Sequence, residues 1–109
     1  MSADRIRQLN DSFRTTLSPS LGRVMCTAGV NGNGAAFVAK CLAAVAAFSD
    51  FTPDNDPHGE HDFGSFEVDD EQCFWKIDYY ADRSLTYGAD DPSSLSTVRV
   101  MTIMLAEEY

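Results

Sequence analysis

Ile6, Leu9, Phe13 and Leu17 recur at helical spacing, with Arg5, Arg7, Asp11 and Arg14 on the positions between them. The chain is therefore expected to open with an amphipathic helix from about Ala3 to Thr16, capped by Ser2 or Asp4. Ser18-Pro19-Ser20 and Gly22 end it, and Arg23 to Thr27 reads as a short buried strand ahead of the glycines of AGVNGNG. Phe37, Val38, Cys41, Leu42, Val45 and Phe48 make a second apolar stripe, which predicts a helix from about Gly34 to Phe48 with Asn33 as its cap. Its alanines let another element approach closely.

The stretch from Phe51 to Gly59, FTPDNDPHG, combines prolines, acids and a glycine, which forbids a continuous helix or a central strand and predicts a loop. Phe63 to Val68 and Cys73 to Tyr80 then read as strands joined through Asp69-Asp70-Glu71-Gln72. In the second strand Cys73, Trp75, Ile77 and Tyr79 alternate with Phe74, Lys76, Asp78 and Tyr80, and the first set is expected to face the core. Ser84 to Tyr87 adds a third antiparallel strand on this reading, before Gly88 and ADDPSS close the meander. The tail is ambiguous: Val98, Val100 and Ile103 favour strand, whereas Met101, Met104, Leu105 and the Ala-Glu-Glu ending favour helix. Ser94 or Ser96 as a cap tilts it to a C-terminal helix. The expected fold class is α+β: helix, strand, helix, three-stranded antiparallel meander and C-terminal helix, with the helices packed on one sheet face.

With 109 residues, 44% of them apolar, the chain fits a single domain, 1–109. The longest apolar run, Cys41 to Phe48, is far short of the roughly 20 residues a membrane span needs. Arg5 and Arg7 are not expected to introduce a signal peptide, because Asp4, Gln8, Asn10 and Asp11 interrupt any apolar stretch. Cys26, Cys41 and Cys73 are odd in number and set in apolar surroundings, so they read as free thiols of a cytoplasmic protein.

Charge changes the picture. Up to Ser49 there are five Lys/Arg against two Asp/Glu, and from Asp50 onward three against fifteen, for a net charge of −9. Self-repulsion of that size works against compactness unless the charges are dispersed or used. Carboxylates two apart on a strand lie about 6.6 Å from one another, and a DNA strand carries a charge about every 3.4 Å. An acidic surface can thus stand in for phosphates. The residues expected to present it are Asp54, Asp56, Glu60, Asp62, Glu67, Asp69, Asp70, Glu71, Asp78 and Asp82. The plainer alternative is a solvated surface that keeps a small protein soluble. Direct binding of nucleic acid is not expected, because the aromatics Phe74, Trp75, Tyr79, Tyr80 and Tyr87 lie among acids rather than bases.

The most specific string is Asp56-Pro57-His58-Gly59-Glu60-His61-Asp62-Phe63-Gly64. His58, Glu60, His61 and Asp62 offer ligands to a borderline metal, and His61 beside a carboxylate offers a general base. The competing reading is a Pro/Gly turn tied down by its own Asp and His side chains. Gly29, Gly32 and Gly34 stand before a helix, where backbone amides can hold a phosphate, but G-x-x-G-x-G is neither a Walker nor a dinucleotide motif and reads more simply as a flexible connection. A catalytic cysteine needs an electropositive, accessible setting, for which only Arg23 and Lys40 are near. No cofactor is expected.

RIRQLNDSFR, RVMCTAGV, FTPDNDPHGEHDFGSFEVD, FWKIDYY, LTYGADDP and RVMTIMLAEEY together resemble a family of small bacterial proteins built on a domain of unknown function and met on plasmids and other mobile elements. The resemblance implies a setting rather than a chemistry. Mobile elements carry small acidic antirestriction and anti-CRISPR proteins, so by analogy the expected function is a DNA-mimicking inhibitor of a host defence nuclease complex, occupying its basic nucleic-acid-binding surface. The alternative is a small metal-assisted hydrolase using His58, Glu60, His61 and Asp62. Nothing in the residues fixes an oligomeric state.

Overall fold

A computed structural model describes residues 3–109. Helix α1, Ala3–Thr16, has the bounds its apolar spacing predicts, with Ile6, Leu9 and Phe13 buried. Of the two expected caps, Ser2 lies outside the described residues. Strand β1 is Gly22–Cys26, one residue earlier than expected. The glycine segment is not a loop throughout, because Ala28–Gly32 forms a short helix, α2, whose N-cap Thr27 accepts from the Val30 amide. Helix α3 follows as Ala35–Ala47. Its N-cap is Gly34 rather than Asn33, whose side chain instead bonds the Gly29 carbonyl at 2.9 Å.

Strands β2, Phe63–Val68, and β3, Glu71–Tyr80, form the predicted hairpin. The connection is tighter than the four residues expected: Val68 pairs with Glu71, leaving only Asp69 and Asp70 in the turn, both at positive φ (51° and 67°). That is the mirror-image turn matching strand twist, and Asp is among the few residues that tolerate it.

The tail is the principal correction. Val98–Leu105 is strand β4, not a helix, and only Ala106–Glu108 makes a short 3₁₀ turn. Ser94 and Ser96 cap no helix and bond one another in the preceding loop. Ser84 to Tyr87 is not a strand either, and the residues after it pair with the sheet through an isolated bridge between Tyr80 and Gly88. The third strand of the antiparallel set is β4. It pairs antiparallel with β3 on one side and parallel with β1 on the other, giving a four-stranded mixed sheet in the order β1-β4-β3-β2. An interior strand buried on both faces has a nearly continuous apolar run, so its period cannot distinguish it from a buried helix.

Phe13, Val30, Phe37, Cys41 and Val45 from the helices meet Cys73, Trp75, Ile77, Met101, Ile103 and Leu105 from the sheet in one core. All three helices lie on this face. Two glycines allow close approaches within it. A Cβ on Gly22 would stand 2.1 Å from the Arg99 carbonyl oxygen, and one on Gly64 would meet the Trp75 indole nitrogen at 2.4 Å and the Phe48 ring. On the opposite face Val98, Val100 and Met104 of β4 are also buried, whereas Phe63, Phe74, Lys76, Asp78, Tyr80 and Thr102 are half-exposed and Arg23 and Met25 of the edge strand are exposed.

Candidate functional site

One face of α1 carries a polar row, Arg7, Asn10, Asp11 and Arg14, at helical i, i+3, i+4 and i+7 spacing. The loop containing Asp56 to Asp62 is strapped onto it. Arg7 Nη1 donates to the Gly59 carbonyl at 3.2 Å, and Asn10 Nδ2 to the Glu60 carbonyl at 3.0 Å. Asp11 lies 3.0 Å from His61 Nδ1 and also accepts from Arg14 Nε at 3.0 Å. Arg14 Nη1 in turn donates to the Val45 carbonyl at 2.7 Å, so the same carboxylate links the loop to α1 and, through Arg14, to α3.

His61 is the pivot of the strap. Its φ is +55°, its ring stacks on Phe51 with centroids 3.6 Å apart and planes within 4°, and its Nε2 lies 3.7 Å from Asp56 Oδ2. Asp56, whose side chain is only 6% exposed, accepts the backbone amides of both Glu60 and His61 at 3.1 Å. A left-handed conformation at a residue with a Cβ costs about 1–2 kcal/mol, and these contacts offset it.

A second chain of hydrogen bonds runs inward from the same loop. The Tyr79 hydroxyl donates to Glu60 Oε1 at 3.2 Å, Asn10 Nδ2 donates to the Tyr79 oxygen at 2.8 Å, and Arg99 Nε donates to Asn10 Oδ1 at 2.7 Å. Arg99 is fully buried over the Tyr79 ring and also donates through Nη2 to the Pro92 carbonyl. Among the described residues no carboxylate pairs with it directly, and its Nη1 has no partner. Burial lowers the Arg99 pKa and raises that of Tyr79. Burial, then the neighbouring Glu60 carboxylate, raises that of Asp62.

The structure brings Asp56, Glu60 and His61 together, but as parts of a clasp. Among the described residues no group of three or more His, Cys, Asp or Glu is arranged to hold a metal ion, and His58 is exposed on the loop. The glycine segment offers no free anion cradle either. Glu108 already accepts the Gly29 amide at 3.0 Å and the Thr27 hydroxyl at 2.6 Å, contacts that with the Leu105 amide lower its pKa. The cysteines are free, and burial pushes Cys41, beside Cys73, up to about 12, far from a reactive thiolate.

The remaining predicted partner-binding residues fall into two groups. Glu67, Asp69, Asp70 and Glu71 are exposed at the turn end of the hairpin, where Lys40 reaches Asp69 at 2.9 Å. Asp62 and the half-exposed Asp78, which Lys76 pairs at 2.9 Å, lie towards the other end. Asp82 there folds back on the Ser84 amide and hydroxyl, which lower its pKa. Asp54 is exposed on the loop before the strap. Sequence reasoning missed Asn10, Arg14 and Arg99 as buried polar residues. Asn10 had a signal, since it is four after Ile6 and three before Phe13 on the apolar stripe. Arg99 alternates with Met101, Ile103 and Leu105, a pattern that the helical reading of the tail concealed.

A two-layer α+β fold with a mixed sheet, a strapped loop and an exposed acidic hairpin turn is the class these features define. The chain belongs to the family described as "Protein of unknown function (DUF3768)", whose model matches residues 26–108. The match begins at Cys26 and leaves out α1, which supplies half of the strap. No curated protein and no solved structure matches the chain. Among the described residues no helix is long and apolar enough to cross a membrane.

Proposed function

We propose that the chain is a non-enzymatic inhibitor that occupies the basic nucleic-acid-binding surface of a nuclease complex of the restriction or CRISPR type. One observation carries the reading: Glu67, Asp69, Asp70 and Glu71 project from the hairpin turn, and Lys40 is the only cation that pairs with them among the described residues. Asp78 stands seven residues along β3 from Glu71, which is about 23 Å at the rise of a strand. That length of one DNA strand carries about seven phosphates. The hairpin offers charge at its two ends rather than continuously, so the mimicry is of two charged patches. Opposite potentials of this kind steer association and select partners. A plasmid or other mobile element as the setting belongs to the same proposal.

The test is purification of the chain with its native partner, followed by competition with duplex DNA across a salt series. The expected partner is a basic nucleic-acid-binding protein, released by salt and by DNA. Neutralising the turn as Asp69→Asn, Asp70→Asn and Glu71→Gln weakens the complex, and asparagine keeps the positive φ tolerable. A partner that holds DNA and this protein together, or binding indifferent to both salt and the three substitutions, sinks the proposal.

A further inference from the structure

The sheet face away from the helices is only partly covered, and what it exposes is not all polar, as a face left to solvent would be. Phe63 of β2 and Phe74 of β3 stack there with centroids 5.5 Å apart, and Tyr109 closes on both rings at 6.0 and 5.1 Å. Tyr109 is nevertheless 74% exposed and Met25, on the edge strand, 49%. Beside the rings lies a groove of about 420 Å³, lined by Met104, Thr102 and Thr27 with Lys76, Glu108 and Tyr109. The three rings and Met25 take no part in the core, and Met104 beside them is buried. An exposed apolar patch framed by polar residues has the anatomy of a non-obligate protein interface.

We infer that this face receives arginine side chains of the partner, with the guanidinium lying on the Phe63, Phe74 and Tyr109 rings. The inference rests on the cationic partner proposed above and specifies which cation it presents. Charge complementarity carries it. Glu67 follows Phe63 along β2 and Asp78 follows Phe74 along β3 on this face, and Glu107 and Glu108 precede Tyr109 in the chain. These four carboxylates outnumber the cations of the face, Lys76 and the edge-strand Arg23. The one cation lining the groove, Lys76, is paired at 2.9 Å with Asp78. Ring faces attract cations, and a planar, weakly hydrated guanidinium stacks on them more readily than a compact, strongly hydrated ammonium.

The test titrates the full chain with oligo-arginine and oligo-lysine peptides of equal length at low salt, alongside sedimentation of the protein alone. The variants are Tyr109→Leu, whose exposed ring the fold does not need, and Tyr109→Leu with Phe74→Leu. The expected result is a preference for oligo-arginine of about fivefold, erased in the double variant while oligo-lysine binding persists. Equal affinities in the unaltered protein, or a preference that survives loss of both rings, overturn the inference and leave the acidic reading standing. Sedimentation as a dimer that the ring substitutions dissociate overturns it in favour of a second copy on this face. If neither peptide binds, the cationic partner itself is refuted and the inference falls with it.

Discussion

The strings Asp56 to Asp62 and Glu67 to Glu71 carry three and four carboxylates over seven and five residues, yet they have opposite environments. In the first, Asp56 is withdrawn to bond two backbone amides, Glu60 accepts from Tyr79, and Asp62 is half-buried. In the second, every carboxylate is exposed, and among the described residues only Asp69 has an ion-pair partner. What separates them is the supply of donors. The loop curls so that its own amides reach Asp56, and Tyr79 of β3 reaches Glu60, while α1 holds it through the Gly59 and Glu60 carbonyls. At the hairpin turn, by contrast, Lys40 on α3 is the one paired cation among the described residues. A carboxylate near donors becomes structure, and one without them remains available to a partner.

The largest effect expected from breaking this comparison is at the inner end of the strap. Asn10→Ala leaves Arg99 Nε and the Glu60 carbonyl without their partners, beside a guanidinium nitrogen already unpaired. It should cost about 3 kcal/mol in urea unfolding, the scale of a buried polar network broken on one side. A loss below about 1 kcal/mol would mean that the network contributes little.

His61→Ala comes next, removing the Asp11 contact and the Phe51 stack while keeping a Cβ at positive φ, for a loss of about 2 kcal/mol. His61→Gly loses the same contacts but relieves the backbone, so it should be the less destabilised of the two by thermal melting. The reverse order would show that the left-handed conformation is not a strain here.

A smaller change of opposite sign is expected at Asp62, whose folded-state pKa is raised by burial and by Glu60. The folded protein holds that proton more tightly than the unfolded chain, so stability falls as pH rises from the ordinary Asp value through the raised one. At neutral pH the penalty is fully present, and Asp62→Asn removes it. The variant should therefore be more stable at pH 7, with the advantage fading as pH drops below the carboxylate range. Equal stability of the two proteins across that range would contradict the assignment.

The smallest effect on stability belongs to the exposed string. Asp69→Asn, Asp70→Asn and Glu71→Gln together should shift unfolding by no more than about 0.5 kcal/mol, because the ion pair lost, Lys40 with Asp69, is itself exposed. The same variant is the one expected to lose its salt-sensitive partner, so stability and binding separate the two strings experimentally.

Much of this arrangement was legible in local pattern. The helix at Ala3–Thr16, the helix of the alanine-rich stripe, the Pro/Gly loop and the hairpin strands each have a period or a breaker that a short window contains. The strap was legible in part: Asp56 and His61 do tie down a Pro/Gly turn, but half of the tie comes from Asn10 and Asp11, some fifty residues away in the chain. The tail was misread because Val98 to Leu105 is apolar at nearly every position, and its β4 identity depends on β1 and β3 lying on either side.

By itself the amino-acid sequence determined where the chain turns, which stretches have one apolar face, and that the acids crowd into the later half. Those properties follow from residue shape and spacing along a few turns or a few rungs. The tertiary structure alone decided that the tail enters the centre of the sheet, that Arg99 is buried without a direct carboxylate partner, and that the acids divide into a clasp and an exposed turn. Each of these depends on which distant donor or strand edge lies within hydrogen-bond reach, about 3 Å, a distance that no local window contains.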